Sequence, residues 1–139
     1  TETVAVGAGG ARGVNPDPAT AGGSSSFGTH LSANGGSPGG NQQDDIGSGG
    51  SATGGDINIS GQPGGNGFTG DVEMSGKGGD SMLGFGGTPV YQGSSSGSGV
   101  NAKSGTGYGA GAGGASGGGG TGQGTSGQAG IVIVTEYYN

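Results

Sequence analysis

Residues 105–130 read GTGYGAGAGGASGGGGTGQGTSGQAG, and the chain then turns apolar in Ile131-Val132-Ile133-Val134. A segment almost without side chains leads directly into a β-prone run. Either it is a flexible linker, or its glycines are themselves the structure. The composition of the rest of the chain bears on the choice. Of 139 residues 44 are glycine, against an ordinary share of about 7%. Only about two dozen side chains are large and apolar, too few for an ordinary core at this length. Fixing each glycine costs about 0.5–1 kcal/mol more than fixing alanine, so the total penalty is on the order of tens of kcal/mol. Burial of side chains alone does not fold such a chain. Disorder is one outcome. The other is close packing of glycine segments whose backbone groups bond to one another.

Charge favours the second outcome. Disordered chains usually carry many charges, whereas only 9% of residues are charged here and the net charge is −6. The cations Arg12, Lys77 and Lys103 are scattered. They form no basic stripe of the kind nucleic acid or an anionic membrane surface requires. Cysteine is absent, so no disulfide or thiolate metal site staples the fold. No apolar run reaches the about 18 residues of a spanning helix, and no signal peptide is visible. The first residue is Thr1 rather than Met, which suits a piece of a longer chain.

Glycine recurs at every third position at 61, 64, 67 and 70, again at 76 and 79, and at 111, 114, 117 and 120. Collagen is excluded, because the period breaks repeatedly and only five prolines are present. A triplet glycine does line one edge of a three-residue-per-turn polyproline-II-type helix, where a neighbouring helix can approach closely. The expected answer to the missing core is therefore a bundle of polyglycine-II segments.

Short strands are expected beside them. Residues 2–6 alternate, and 24–32 is strand-like. Gly55-Asp56-Ile57-Asn58-Ile59-Ser60-Gly61 recurs fifteen residues on as Gly70-Asp71-Val72-Glu73-Met74-Ser75-Gly76. Each copy reads as a five-residue alternating strand, and the repeat predicts stacked units. Ile131–Val134 reads as a terminal strand that locks the end of the chain into the scaffold. No segment has helical periodicity. The predicted fold is one all-β/irregular domain over 1–139: short β-strands combined with polyglycine-II-like segments and essentially no α-helix.

Chemistry-bearing motifs are sparse. Gly109-x-Gly111-x-x-Gly114 matches a dinucleotide fingerprint in letters alone, without the preceding strand, following helix or acidic residue it needs. Gly70–Lys77 has the wrong spacing for a P-loop and lacks its Ser or Thr. His30 is the one histidine; it is a strand-face or surface residue, or a metal ligand only if three copies meet on a three-fold axis. Asp44-Asp45 with Asn41 and Gln43 supplies hard oxygens but not EF-hand spacing, so a solvated loop is the simpler reading. Asp56 and Asp71 suit turns or strand starts. No nucleophile or acid/base pair suggests an enzyme, and no cofactor or metal is expected. The richest apolar stretch is 81–92, SMLGFGGTPVYQ, whose Met82, Leu83, Phe85, Val90 and Tyr91 either fill a core or form a displayed patch.

Three stretches carry a family resemblance: SSFGTHLSANGG at 25–36, GGDINISGQPGGNG at 54–67, and the glycine-rich approach to the closing GQAGIVIVTEYYN. In this order they resemble the glycine-rich receptor-binding tips of bacteriophage tail fibres, over nearly the whole chain. The resemblance implies an adhesin at the distal end of a fibre on the virion. It would bind an outer-membrane protein or lipopolysaccharide on the bacterial surface, either as a homotrimer within a fibre or as a monomeric tip. It also implies specificity loops held on a glycine scaffold, for which the candidates are 41–46, 81–92 and 100–108. Met82, Leu83, Phe85, Val90, Tyr91 and Tyr108 are the expected receptor contacts. The interrupted triplets and the β-repeat depart from the cleanest glycine sandwiches. A polyglycine-II ice-binding protein and a structural glycine-rich protein are the alternatives.

Overall fold

The structure is a computed structural model and describes residues 1–13, 18–40, 45–93, 98–117 and 122–138. Its strands are short: β1 (Val4–Ala5), β2 (Ser25–Phe27), β3 (Leu31–Ala33), β4 (Ala52–Thr53), β5 (Glu73–Met74), β6 (Leu83–Phe85), β7 (Tyr91–Gln92) and β8 (Thr106–Tyr108). The first four form one antiparallel sheet in chain order, β5 pairs with β7, and β6 pairs with β8. No α-helix occurs among the described residues. The all-β/irregular class read from the sequence is the fold observed.

Between the strands run glycine-rich segments joined by a different kind of hydrogen bond. Asn34, Ser37 and Gly40 donate their N–H groups to the carbonyls of Ser51, Ser48 and Asp45, at 2.8, 3.0 and 2.8 Å. Gly61 and Gly64 donate to Gly50 and Gly47, both at 2.9 Å; Gln62 and Gly65 donate to Asp80 and Lys77, both at 2.8 Å. Each series advances three residues at a time and runs one way. An antiparallel β-ladder instead exchanges reciprocal bonds between alternating pairs. A three-residue step is the turn of a polyproline-II-type helix. Consecutive residues such as Gly61 and Gln62 therefore reach different neighbours, one on each side.

Followed from neighbour to neighbour, these bonds close a ring. Segment 7–13 joins 18–24 through Gly23 N–H and Ala8 O, and 18–24 joins 34–40 through Gly22 and Gly36. The chain of contacts continues through 45–51 and 60–67 to 75–80, which meets 110–117 where Gly114 donates to Gly76 at 2.9 Å. Segment 122–130 then links 110–117 back to 7–13: Gln128 donates to Ala110 at 2.8 Å and Gly127 to Gly10 at 3.0 Å. Closure leaves no unpaired edge among these segments, the device by which β-barrels avoid exposed edges. The ring encloses a hollow of about 1290 Å³ lined mostly by small residues, with Phe68, Met74, Met82, Leu83 and Tyr108 also against it.

Segments 86–90 and 99–105 do not line that hollow. They pack on the outer side of 110–117, where Gly87 donates to Gly111 and Gly113 donates to Lys103, both at 2.9 Å. This thicker part holds the core, whose buried apolar side chains among the described residues are Val90, Ala102 and Ala110. The described parts of the quoted stretch, 105–117 and 122–130, are thus the hub of the molecule rather than a linker. Ala110, Gly113 and Ser116 form its buried edge, one residue out of the expected 111/114/117 frame, and Gly114 is exposed. The edge turned toward 86–90 and 99–105 is the buried one, while Gly111 and Gly114 spend their N–H groups on 75–80. In 60–67 the expected frame holds: Gly61, Gly64 and Gly67 are half-buried, and the residues between them are exposed.

Three expectations are corrected. Residues 24–32 are not one strand but a hairpin, β2–β3, with a turn at 28–30. The repeat gives no stacked five-residue strands: its first copy is a bend at 54–57 and its second contributes only Glu73–Met74. The copies lie at successive turns at opposite ends of 60–67, so fifteen residues is the length of one pass plus one turn. Ile131–Val134 is not a strand and makes no backbone hydrogen bond with the scaffold among the described residues. The bonding of 122–130 to segment 7–13 ends at Gly130, which donates to Gly7 at 2.9 Å.

Candidate functional site: side chains displayed at two ends

The antiparallel passes bring the described turns to one end or the other. Stretch 81–92, expected as one loop, spans both ends. Ser81 to Phe85 lies at the end that carries the β1–β4 sheet; 86–90 then crosses the scaffold and delivers Tyr91 to the opposite end. At about 3.1 Å per residue, Phe85 and Tyr91 are separated by roughly 20 Å. Stretch 100–108 is likewise no loop, since 99–105 is a scaffold segment and Thr106–Tyr108 is β8. Of 41–46, residues 41–44 fall outside the described ones, and with them the Asn41, Gln43 and Asp44 oxygens considered for calcium. Ile46 is exposed.

At the first end β6 and β8 form a two-stranded ribbon. Leu83 stands opposite Tyr108, Gly84 opposite Gly107, and Phe85 opposite Thr106. Alternation puts Leu83, Phe85, Thr106 and Tyr108 on one face and both glycines on the other. Gly84 is buried against the β8 backbone, while Leu83, Phe85 and Tyr108 are exposed. Phe85 is 75% exposed. Gly107 and Gly109, at φ of 78° and 70°, turn the chain from β8 into the hub, a conformation side-chain-bearing residues rarely adopt. Met82 is exposed at the tight turn closed by the Ser81 N–H donating to Gly84 O at 2.9 Å.

At the second end three large side chains stand in a row. Phe68 and Met74 exchange backbone bonds at 2.7 and 2.9 Å, and Met74 stands opposite Tyr91. All three are exposed, Tyr91 by 62%. The sequence reading passed over Phe68 and Met74; for Met74 the signal was the second repeat copy, 70–76, whose position at a turn displays it. Val90, taken as a receptor contact, faces the interior with 6% exposure. Its N–H donates to Ser75 Oγ at 2.9 Å, and its carbonyl accepts from Ser75 N–H at 2.9 Å. That pair fixes it as core, and a receptor cannot reach it.

Among the described residues no three His, Cys, Asp or Glu side chains cluster as a metal site. His30 lies in the β2–β3 turn with its Nε2 3.5 Å from Glu2 Oε1 and its ring 6.2 Å from that of Phe27. Asp80 accepts hydrogen bonds from Lys77 Nζ and from Gly86 N–H, the latter at 2.7 Å. The lysine first, and the amide second, hold its carboxyl below the usual carboxylate range. Asp80 thereby ties 75–80 to the end of β6. No helix is long and apolar enough to cross a membrane among the described residues. Comparison with protein-family models, with curated proteins and with solved structures finds no match to this chain.

Proposed function

We propose that this chain is a non-enzymatic receptor-binding tip of a bacteriophage tail fibre, sited at the distal end of the fibre on the virion. The observation that carries the reading is the inversion of the usual burial pattern. The described interior is glycine, alanine and serine around Val90 and Gln92, while Met82, Leu83, Phe85 and Tyr108 at one end and Phe68, Met74 and Tyr91 at the other are turned to solvent. Exposed apolar patches of this kind mark interaction surfaces. Held on a hydrogen-bonded scaffold, they lose little freedom on binding, which lowers the ordering cost. Several fibres per virion multiply modest contacts into firm attachment. The net charge of −6 sets the tip against bare lipopolysaccharide phosphates and favours an outer-membrane protein or a neutral sugar.

The test is binding of purified protein to susceptible cells, with each end altered separately. Phe85→Ser with Tyr108→Ser, or Phe68→Ser with Tyr91→Ser, is expected to reduce cell binding at least tenfold at unchanged melting temperature. Undiminished binding by both double variants, or no binding of the parent chain to any bacterial surface, sinks the proposal.

A further inference from the structure

After Gly130 the chain turns onto the β2–β4 part of the first sheet, where Ile131 and Val132 are half-buried. Gly130 stands on the side that carries Ser25: a β-carbon there would lie 2.5 Å from Ser25 Oγ. The strand register puts Ser25, Ala33 and Ala52 on that face, together with the pair Phe27 and Leu31. Between the sheet and residues 131–133 lies a cleft of about 270 Å³. Its large side chains are Phe27, Leu31, Ile57, Ile131, Val132 and Ile133, and no charged side chain lines it among the described residues. We propose that this cleft binds the aliphatic chain of an uncharged amphiphile.

The polar groups along the cleft are already engaged. Ser25 Oγ accepts from the Gly7 N–H at 3.0 Å. Asn58 is closed on Gly55, accepting from its N–H at 3.1 Å and donating to its carbonyl at 2.7 Å. Ser26, Ser32 and Thr53 stand opposite one another in the register and alternate onto the other face of the sheet. Water in the cleft therefore finds few partners, and an apolar group displaces such water favourably. Size sets the length of the chain. An apolar cavity of about 150 Å³ holds benzene, so one of about 270 Å³ takes roughly ten carbons. Five of the six large side chains are aliphatic, and the one ring gives a flat aromatic ligand little to stack on. The rim is open, with Ile57 82% and Ile133 71% exposed, so a polar head stays in water. The net charge of −6 disfavours a carboxylate head and leaves an uncharged one unopposed.

The inference is independent of receptor binding, whose variants leave the cleft intact. Its test is titration of the full chain with n-decyl β-maltoside below the micelle-forming concentration, followed by side-chain NMR. Saturable shifts are expected at Phe27, Leu31, Ile57 and Ile131 to Ile133, and none with maltose alone. Ile57→Ser with Ile133→Ser is expected to weaken binding by about tenfold or more, since two apolar walls are lost. Both side chains are exposed, so the melting temperature is expected to hold. Val134→Ser, just past the cleft, is expected to bind within about twofold of the parent. No saturable shift, equal shifts with maltose, or shifts centred on Phe85 and Tyr108 overturns the proposal. So does undiminished binding by the double variant, or an equal loss in Val134→Ser. If the double variant fails to fold, the location of the shifts in the parent chain decides alone.

Discussion

Gly87 lies with its α-carbon facing the carbonyl oxygen of Lys103, and a β-carbon there would overlap that oxygen and stand 2.5 Å from the Gly113 nitrogen. Both obstacles are backbone, so no side chain can swing aside. Gly87→Ala is expected to destabilise the domain by about 3 kcal/mol or more, the upper range for overpacking. Gly124 provides the contrast, since its β-carbon would meet only Arg12 Cβ, at 3.6 Å. Gly124→Ala should be neutral or stabilising by up to about 1 kcal/mol, through reduced freedom of the unfolded chain. Thermal or denaturant unfolding of the two variants side by side checks both.

Val90 is the one large side chain among the buried apolar residues. Val90→Ala should cost about 1–3 kcal/mol. Phe85→Ser and Tyr91→Ser should each fall within about 0.5 kcal/mol of the parent, because they empty no core. Chemical denaturation separates the two classes. Together with cell binding it distinguishes scaffold residues from displayed ones within a single twelve-residue stretch.

That division was only partly legible in the sequence. The triplet at Gly61, Gly64 and Gly67 announced the polyglycine-II step, and the low charge argued for packing over disorder. What the letters hid was direction. A polyglycine segment is equally glycine-rich whether it loops or crosses, so nothing marked Gly86–Val90 as a pass that sends Phe85 and Tyr91 to opposite ends. Ile131–Val134 reads as a terminal strand from its β-branched composition, and in the structure it is not one. A strand also needs a partner edge, and composition does not supply one. Phe68 and Met74 were missed because their bridge depends on a turn, not on either residue alone.

Acid should weaken the tie between 75–80 and β6. The carboxyl of Asp80 titrates below its usual value in the folded chain because of Lys77 and the Gly86 amide. A depressed folded value means the contribution is present above the unfolded pKa, near 4, and is lost as pH falls through the lower folded one. Melting temperature should therefore fall on acidification below about pH 4. Asp80→Asn should lower it at neutral pH and flatten that part of the pH profile. An Asp80→Asn profile parallel to the parent's would contradict the assignment.

The central claim is that residues 105–130 are the hydrogen-bonded hub of a scaffold and not a linker. Amide hydrogen exchange resolved by residue tests it most directly. The N–H groups of Gly111, Gly113, Gly114, Gly127 and Gly130 donate to carbonyls of other segments, and protected amides should recur at the three-residue step along both passes. Slow exchange at these positions, approaching that of Ser75 beside Val90, is the predicted result. Uniformly fast exchange from Gly105 to Gly130, with Ser75 still protected, would contradict it.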